Sequence, residues 1–187
     1  LMSTWRKGRR ILARVLKEKS LPLDEFIKNI EKNPPTKVPG TAIYMSSDIW
    51  GVPVPLLHNL KHNKVLHNQI ALLTIRTTDV PFIEPEERIK IETLTNQFYR
   101  IIAEYGFMET PKIKHILDAC RAKGISFPIQ ETTFVLGRET ILPVGNADLP
   151  VWREKIFALM SRNAERPTAY FKIPPNQVIE VGIQVEI

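Results

Sequence analysis

Apolar residues recur along this chain with two different periods. Ile11, Leu12, Val15 and Leu16 return at helical spacing among basic residues, which predicts a basic amphipathic helix over residues 5–19. Ser20-Leu21-Pro22 breaks it, and Asp24–Lys32 predicts one short helix with Phe26, Ile27 and Ile30 on one side. The stretch Asn33-Pro34-Pro35-Thr36-Lys37-Val38-Pro39-Gly40 reads as a linker that neither helix nor sheet absorbs. Three parts follow: an arm over 1–20, a short helix and Pro-rich linker over 21–39, and a body over 40–187.

The body alternates between the two periods. Thr41–Met45 is a short apolar run bounded by Gly40 and Ser46-Ser47, and predicts a buried strand. Pro53–His67 predicts a helix, with Pro53 and Pro55 near its start where a missing N–H costs little. Gln69–Thr77 predicts a second buried strand, so this β-α-β unit should be parallel with a right-handed crossover. Arg88–Leu94 and Phe98–Tyr105 read as a hairpin with one solvated face. Pro111–Lys123 predicts a helix with Thr110 as N-cap and Gly124 as stop. Glu131–Gly137 and Thr140–Val144 read as another hairpin turning at Gly137-Arg138-Glu139, Leu149–Glu165 as a helix and Gln177–Glu186 as a closing strand. The order predicts an α/β fold: a mixed β-sheet with helices packed on it, preceded by a basic amphipathic juxtamembrane helix.

Composition narrows the class. The chain has 187 residues, 43% hydrophobic and 25% charged, which excludes a mostly disordered chain, a collagen-like repeat and a long coiled coil. A single cysteine, Cys120, excludes an internal disulfide and a Cys-based zinc site. No run approaches the roughly 18–20 apolar residues that span a bilayer.

Charge changes the picture more. Residues 1–19 hold Arg6, Lys7, Arg9, Arg10, Arg14, Lys17 and Lys19 against Glu18 alone, so the arm carries the whole net charge of +6. A nucleic-acid-binding domain spreads its basic residues over a folded face, and no such reader module follows here. A solvated basic terminus and a nucleic-acid arm therefore stand behind a third reading, a juxtamembrane segment on the cytoplasmic side. There Trp5, Arg6, Lys7, Arg9 and Arg10 are the expected contacts to the anionic lipid surface. The opening Leu1-Met2 and the lack of a signal-peptide pattern suggest a piece of a longer protein, cut just after something apolar.

The chemistry-bearing residues form no catalytic constellation. His58 and His62 have the i, i+4 spacing of zinc ligands, but no Glu follows the first, and Lys61 and Lys64 make the neighbourhood cationic. Histidines bonding at a helix–strand corner, His67 included, are the expectation, and no metal or cofactor is called for. Neither G-x-x-x-x-G-K-[ST] nor G-x-G-x-x-G occurs. Ser46-Ser47-Asp48 lies between a strand and a helix, where α/β sheets bind ligands, and is the one candidate ligand loop. Cys120 is expected to be a buried, inert thiol, and Glu84, Glu86 and Glu87 solvated loop charges.

A family resemblance adds what pattern does not. Val38-Pro39-Gly40-Thr41-Ala42-Ile43-Tyr44-Met45, followed by Leu57-His58-Asn59-Leu60-Lys61-His62-Asn63-Lys64-Val65-Leu66-His67, closely resembles the start of the C-terminal cytoplasmic domain of the Kup (KUP/HAK/KT) potassium uptake transporters. Tyr105-Gly106-Phe107-Met108-Glu109-Thr110-Pro111 and Ile173-Pro174-Pro175-Asn176-Gln177-Val178-Ile179-Glu180-Val181-Gly182 continue it in order. The resemblance implies a non-enzymatic domain of a K⁺ importer, thought to be coupled to H⁺, on the cytoplasmic side of the bacterial inner membrane. Its partners would be the transmembrane part of the same transporter, the anionic lipid surface and a second copy in a homodimer. Some relatives are controlled by a cyclic dinucleotide. The expected function is thus a regulatory or assembly domain of a potassium transporter. The rivals are a nucleotide-sensing module, with the nucleotide at the strand ends after Thr41–Met45, and a free-standing peripheral membrane or nucleic-acid binder.

Overall fold

A computed structural model describes residues 2–18, 20–145, 149–164 and 167–187. Lys19, in the predicted arm helix, and Glu165, the predicted end of the last helix, lie outside the described residues.

The elements are helix α1 (Met2–Glu18), helix α2 (Leu23–Lys32), strand β1 (Thr36–Met45), helix α3 (Val54–Asn63), strand β2 (Val65–Thr78), strand β3 (Ile89–Thr93), strand β4 (Phe98–Gly106), helix α4 (Ile113–Ala122), strand β5 (Thr132–Leu142), helix α5 (Val151–Arg162), the single turn α6 (Pro167–Tyr170) and strand β6 (Val178–Glu186). The strands make one six-stranded sheet in the order β3-β4-β2-β1-β5-β6. All neighbours run parallel except β3, which pairs antiparallel with β4. The expected α/β class with a mixed sheet is therefore what the chain adopts.

Parallel strands are covered on both faces, and the residues show how. Ile43, Ala71, Leu73, Ile101 and Phe134 point to one side, where Ile113, Ile116, Leu117 and Cys120 of α4 meet them. Their neighbours Ala42, Tyr44, Ile70, Leu72 and Val135 point to the other, against Leu23, Phe26, Ile27 and Ile30 of α2 and Leu56 of α3. The result is three layers, helix on sheet on helix. A fully buried Leu or Ile here contributes about 1.5–3 kcal/mol relative to an exposed one.

A third, separate core lies beyond the sheet's edge. The last pairing of β5 with β1 is Val135 with Tyr44, but β5 runs on beside β6 to Leu142. This overhanging ribbon supplies Ile141 and Val185, which pack with Ile11 and Leu12 of α1, Phe157 and Ala158 of α5, Leu149 and Ile187. The arm helix thus has its own apolar socket.

Four sequence expectations need correction. Residues 36–40 are not linker: Thr36, Lys37 and Val38 pair with Val65, Leu66 and His67, and a register shift before Thr41 accommodates Pro39 and Gly40. Gly40 stands at φ +96°, in the left-handed region that favours glycine. Nor does Gly137-Arg138-Glu139 turn. Residues 132–142 are one strand whose polar middle reflects the overhang, with Arg138 beside Gly182 and Glu139 beside Ile183. Helix α3 stops at Asn63, because Lys64 is left-handed at φ 57°, so His67 belongs to β2. α4 begins at Ile113 without a Thr110 cap, and the Phe171 carbonyl accepts its first N–H at 3.1 Å.

Candidate functional site

In this topology the chain leaves β1 toward β2 and leaves β5 toward β6, on opposite sides. The adjacent C-terminal ends of β1 and β5 are therefore the switch point, where open α/β sheets leave a crevice. A cavity of about 300 Å³ lies there. Met45, Ser46, Ser47 and Asp48 line it from the end of β1, Pro53–Pro55 from the start of α3, and Gly137 and Glu139 from β5. Helix α1 roofs it with Ala13, Leu16 and Lys17, and Ser20 closes the corner.

Local hydrogen bonds shape the loop that follows β1. The Ser46 hydroxyl donates to the Asp48 carbonyl at 2.9 Å and accepts from the Asp48 N–H at 3.1 Å. Asp48 Oδ1 accepts from the Trp50 N–H at 3.0 Å, a turn that aspartate forms readily. The Ser20 hydroxyl reaches Asp48 Oδ2 at 3.5 Å. Backbone bonds then tie this loop to the α1–α2 connection, from Val52 N–H to Leu21 at 2.9 Å and from Leu23 N–H to Trp50 at 3.2 Å. A side chain on Gly51 would collide with the side chains of Ser20 and Asp48 and displace the contact between them.

The candidate loop Ser46-Ser47-Asp48 therefore lines a real cavity, and the structure adds Lys17 and Glu139, which sequence alone does not bring together. Glu139 keeps exposed surface, yet the protein around it pushes its carboxyl upward from the ordinary value, with Arg9 opposing. Chemically the cavity offers hydroxyls, one ammonium and two carboxylates around an apolar floor. That suits holding a small polar molecule. No histidine lines it, and the Ser46 hydroxyl is committed to backbone, so no activated nucleophile is present among these residues.

The other candidate residues fall on α1. Arg6, Lys7, Arg9 and Arg10 are exposed, while Trp5 is half-buried against Phe157, with ring centroids 5.5 Å apart. The Arg9 guanidinium lies 5.9 Å from the Trp5 ring centre. The opposite face, Thr4, Gly8, Ile11 and Leu12, is buried. Five of the named contacts thus share one helix, but its aromatic faces the protein and its cations face out.

The histidines do not gather. His58 and His62 stack edge to face at 5.9 Å on α3, and among the described residues no third ligand joins them. His67 sits on β2, past the end of α3, with Nδ1 buried and unbonded. Burial pushes its pKa down. Cys120 is fully buried, and burial pushes its thiol up to about 11.

Two of the recognisable sequence blocks turn out to be structural staples. Asn59 donates to the Val65 carbonyl at 2.9 Å and bonds Tyr44, while Asn63 donates to Asn59 Oδ1 at 2.8 Å, which fixes the α3–β2 corner. Glu109 takes the Gly106 N–H at 2.7 Å and the Ile83 N–H at 3.1 Å on Oε2, and Arg88 on Oε1. The Arg88 guanidinium also lies 4.9 Å from the Tyr105 ring centre. Sequence reading passed over Glu109, although it lies in the block Tyr105–Pro111.

Comparison with known proteins gives a consistent result. The family model described as the K⁺ potassium transporter C-terminal domain matches residues 39–187. The whole chain aligns with "Probable potassium transport system protein Kup" of Bdellovibrio bacteriovorus at 60% identity, covering 29% of that protein. It aligns with the protein of the same name in Myxococcus xanthus at 51% identity, again over 29% of that protein. With "Probable potassium transport system protein Kup 2" of Chromobacterium violaceum the identity is 48%, over 30% of its length. The chain thus spans under one third of these relatives. No solved structure matches.

Proposed function

The chain belongs to the family of K⁺ potassium transporter C-terminal domains, and on that premise we propose that it is the cytoplasmic regulatory or assembly domain of a Kup-type K⁺ transporter. Transport itself, expected to be K⁺/H⁺ symport, would reside in a membrane part of the same protein in the bacterial inner membrane. No described helix here is long and apolar enough to cross a bilayer. On this reading the domain performs no catalysis. It acts by packing against its own membrane part or a second copy, and α1 transmits that contact.

The two-sidedness of α1 carries this reading. One face is seated in the third core, and the other exposes Arg6, Lys7, Arg9 and Arg10. A helix gripped by the domain and basic outside can report the domain's state to an anionic lipid surface, at about 1 kcal/mol per nearby cation. The test is potassium uptake by cells lacking their own importers, supplied with the full-length parent or the parent cut before Leu21, at matched membrane levels. Uptake by the parent alone is the result expected of a domain needed for activity. Uptake by both would mean that it tunes transport, and uptake by neither, despite insertion, would remove the potassium assignment. Replacing the four cations by Gln should alter transport without loss of folding or insertion; unchanged transport would end the role given to the arm.

A second reading is favoured by the cavity at the switch point. A nucleotide held by Ser46, Ser47, Asp48 and Lys17 would press on the loop bonded to Leu21 and Leu23, and so on the end of α1. Calorimetry and thermal shift with adenine nucleotides and cyclic dinucleotides decide it; neither heat nor shift would remove it.

A further inference from the structure

α1 does not meet solvent alone: α5 lies beside it, and α5 has an apolar outer stripe. Arg153 of α5 donates to Thr4 Oγ1 at 3.0 Å and to Ser3 Oγ at 3.2 Å, so the N-terminal ends of the two helices are bonded together. Arg153 and Phe157 turn toward α1, and Glu154, Phe157 and Ala158 toward the core. The remaining side holds Trp152, Ile156 and Leu159 at i, i+4 and i+7, one continuous helical stripe. Trp152 is 63% exposed and Leu159 59%. A tryptophan and a leucine this open on one helix face signal a surface that is covered in use.

The charge around the stripe selects what covers it. Lys155 and Arg162 are exposed on α5, and its single carboxylate, Glu154, is wholly buried. On α1, beside it, six cations are exposed against Glu18 alone. The two helices together therefore present cations with interleaved aromatic and aliphatic groups and almost no acid. That is the pattern of a helix lying in a headgroup region, where apolar side chains enter the acyl boundary and Lys and Arg meet lipid phosphates. An apolar protein partner would not call for the cations, and a free polyanion would not call for the Trp152–Leu159 stripe.

We propose that α5, through Trp152, Ile156 and Leu159 flanked by Lys155 and Arg162, is a second lipid-contacting element that lays the third core flat on an anionic membrane surface beside α1. This rests on the reading of α1 as the membrane-facing helix and deepens it. With one helix the domain could swivel about its tether; with two, bonded through Arg153, its orientation is fixed.

The test is co-sedimentation of the full chain with vesicles of phosphatidylcholine alone and of phosphatidylcholine with about 30% phosphatidylglycerol. Binding is expected only to the anionic vesicles, weakening as salt is raised to 0.5 M. The double variant W152S/L159S, altered only at exposed positions, should bind about tenfold more weakly with an unchanged melting temperature. The control F82S/F107S, which removes two other exposed aromatics, should bind like the unaltered chain. If W152S/L159S binds as tightly as the parent chain while the four-Gln arm variant does not, the α5 contact is overturned and the arm reading survives. If the unaltered chain ignores anionic vesicles, both fall. Equal weakening by the control pair would show unspecific adhesion and would also overturn the proposal.

Discussion

Gly8 of α1 lies directly beneath the ring of Phe157: a Cβ placed on it would come within 2.5–2.7 Å of three ring carbons. Phe157 is itself fully buried and has no room to retreat. Gly8 is thus the point at which the arm helix and α5 reach their separation. Gly8→Val should overpack this contact and cost about 1–3 kcal/mol, freeing α1 for proteolysis before the body melts. Limited digestion alongside a thermal melt checks it, and undiminished protection of α1 would show that the contact is dispensable.

Glu109 closes a knot of three donors, Arg88, Gly106 N–H and Ile83 N–H. Its loss leaves a largely buried guanidinium and two amides unanswered. Glu109→Ala should cost about 2–3 kcal/mol and raise hydrogen exchange at Ile83 and Gly106, while Glu109→Gln should cost less. Denaturant titration with exchange at those amides measures both. Unchanged exchange would mean that the 79–88 loop is held by other contacts.

His67 gives the fold a one-sided pH response. Burial lowers its pKa, so the unfolded chain binds this proton more readily than the folded one. Its contribution is full above the ordinary value near 6.5 and is lost as pH falls through the lowered folded value. The melting temperature should therefore drop from pH 7 to pH 5, and His67→Gln should flatten part of that slope. An identical slope in the variant would assign the effect to other groups.

Cys120 should be chemically silent. Its thiol is fully buried and pushed up to about 11, so at pH 8 almost none is thiolate and none is reachable. Reaction with an aromatic disulfide reagent should appear only with denaturant, at the rate of unfolding. Labelling of the native chain within minutes would contradict the packing of α4.

The layered body was readable because its strands are covered on both sides. Runs such as Ala42-Ile43-Tyr44 and Ile70-Ala71-Leu72-Leu73 carry no polar interruption, and the parallel pairing of β1 with β2 follows from the helix between them. Polar residues inside β5 concealed its length, since Arg138 and Glu139 sit where the strand has left β1 and has only β6 beside it. Strand order was beyond reach, because α4 carries the chain from β4 past two strands to β5 and local pattern does not record that distance. At the cavity, the rule that ligands gather at strand ends picked out Ser46-Ser47-Asp48. Lys17 and Glu139 arrive from far along the chain and become neighbours only through the third core.

The overhang of β5 and β6 also has a mechanical meaning. A two-stranded ribbon is the least self-sufficient form of sheet, and it is this ribbon together with α5, which packs on it, that grips α1. Tension entering through α1 is delivered to the third core, to Phe157 of α5 and to Ile141 and Val185 near the free end of the ribbon. The ribbon therefore works as a compliant handle. A pull on the arm peels α1 and the third core away at low force, and the body, joined through α2, stays folded until a higher one.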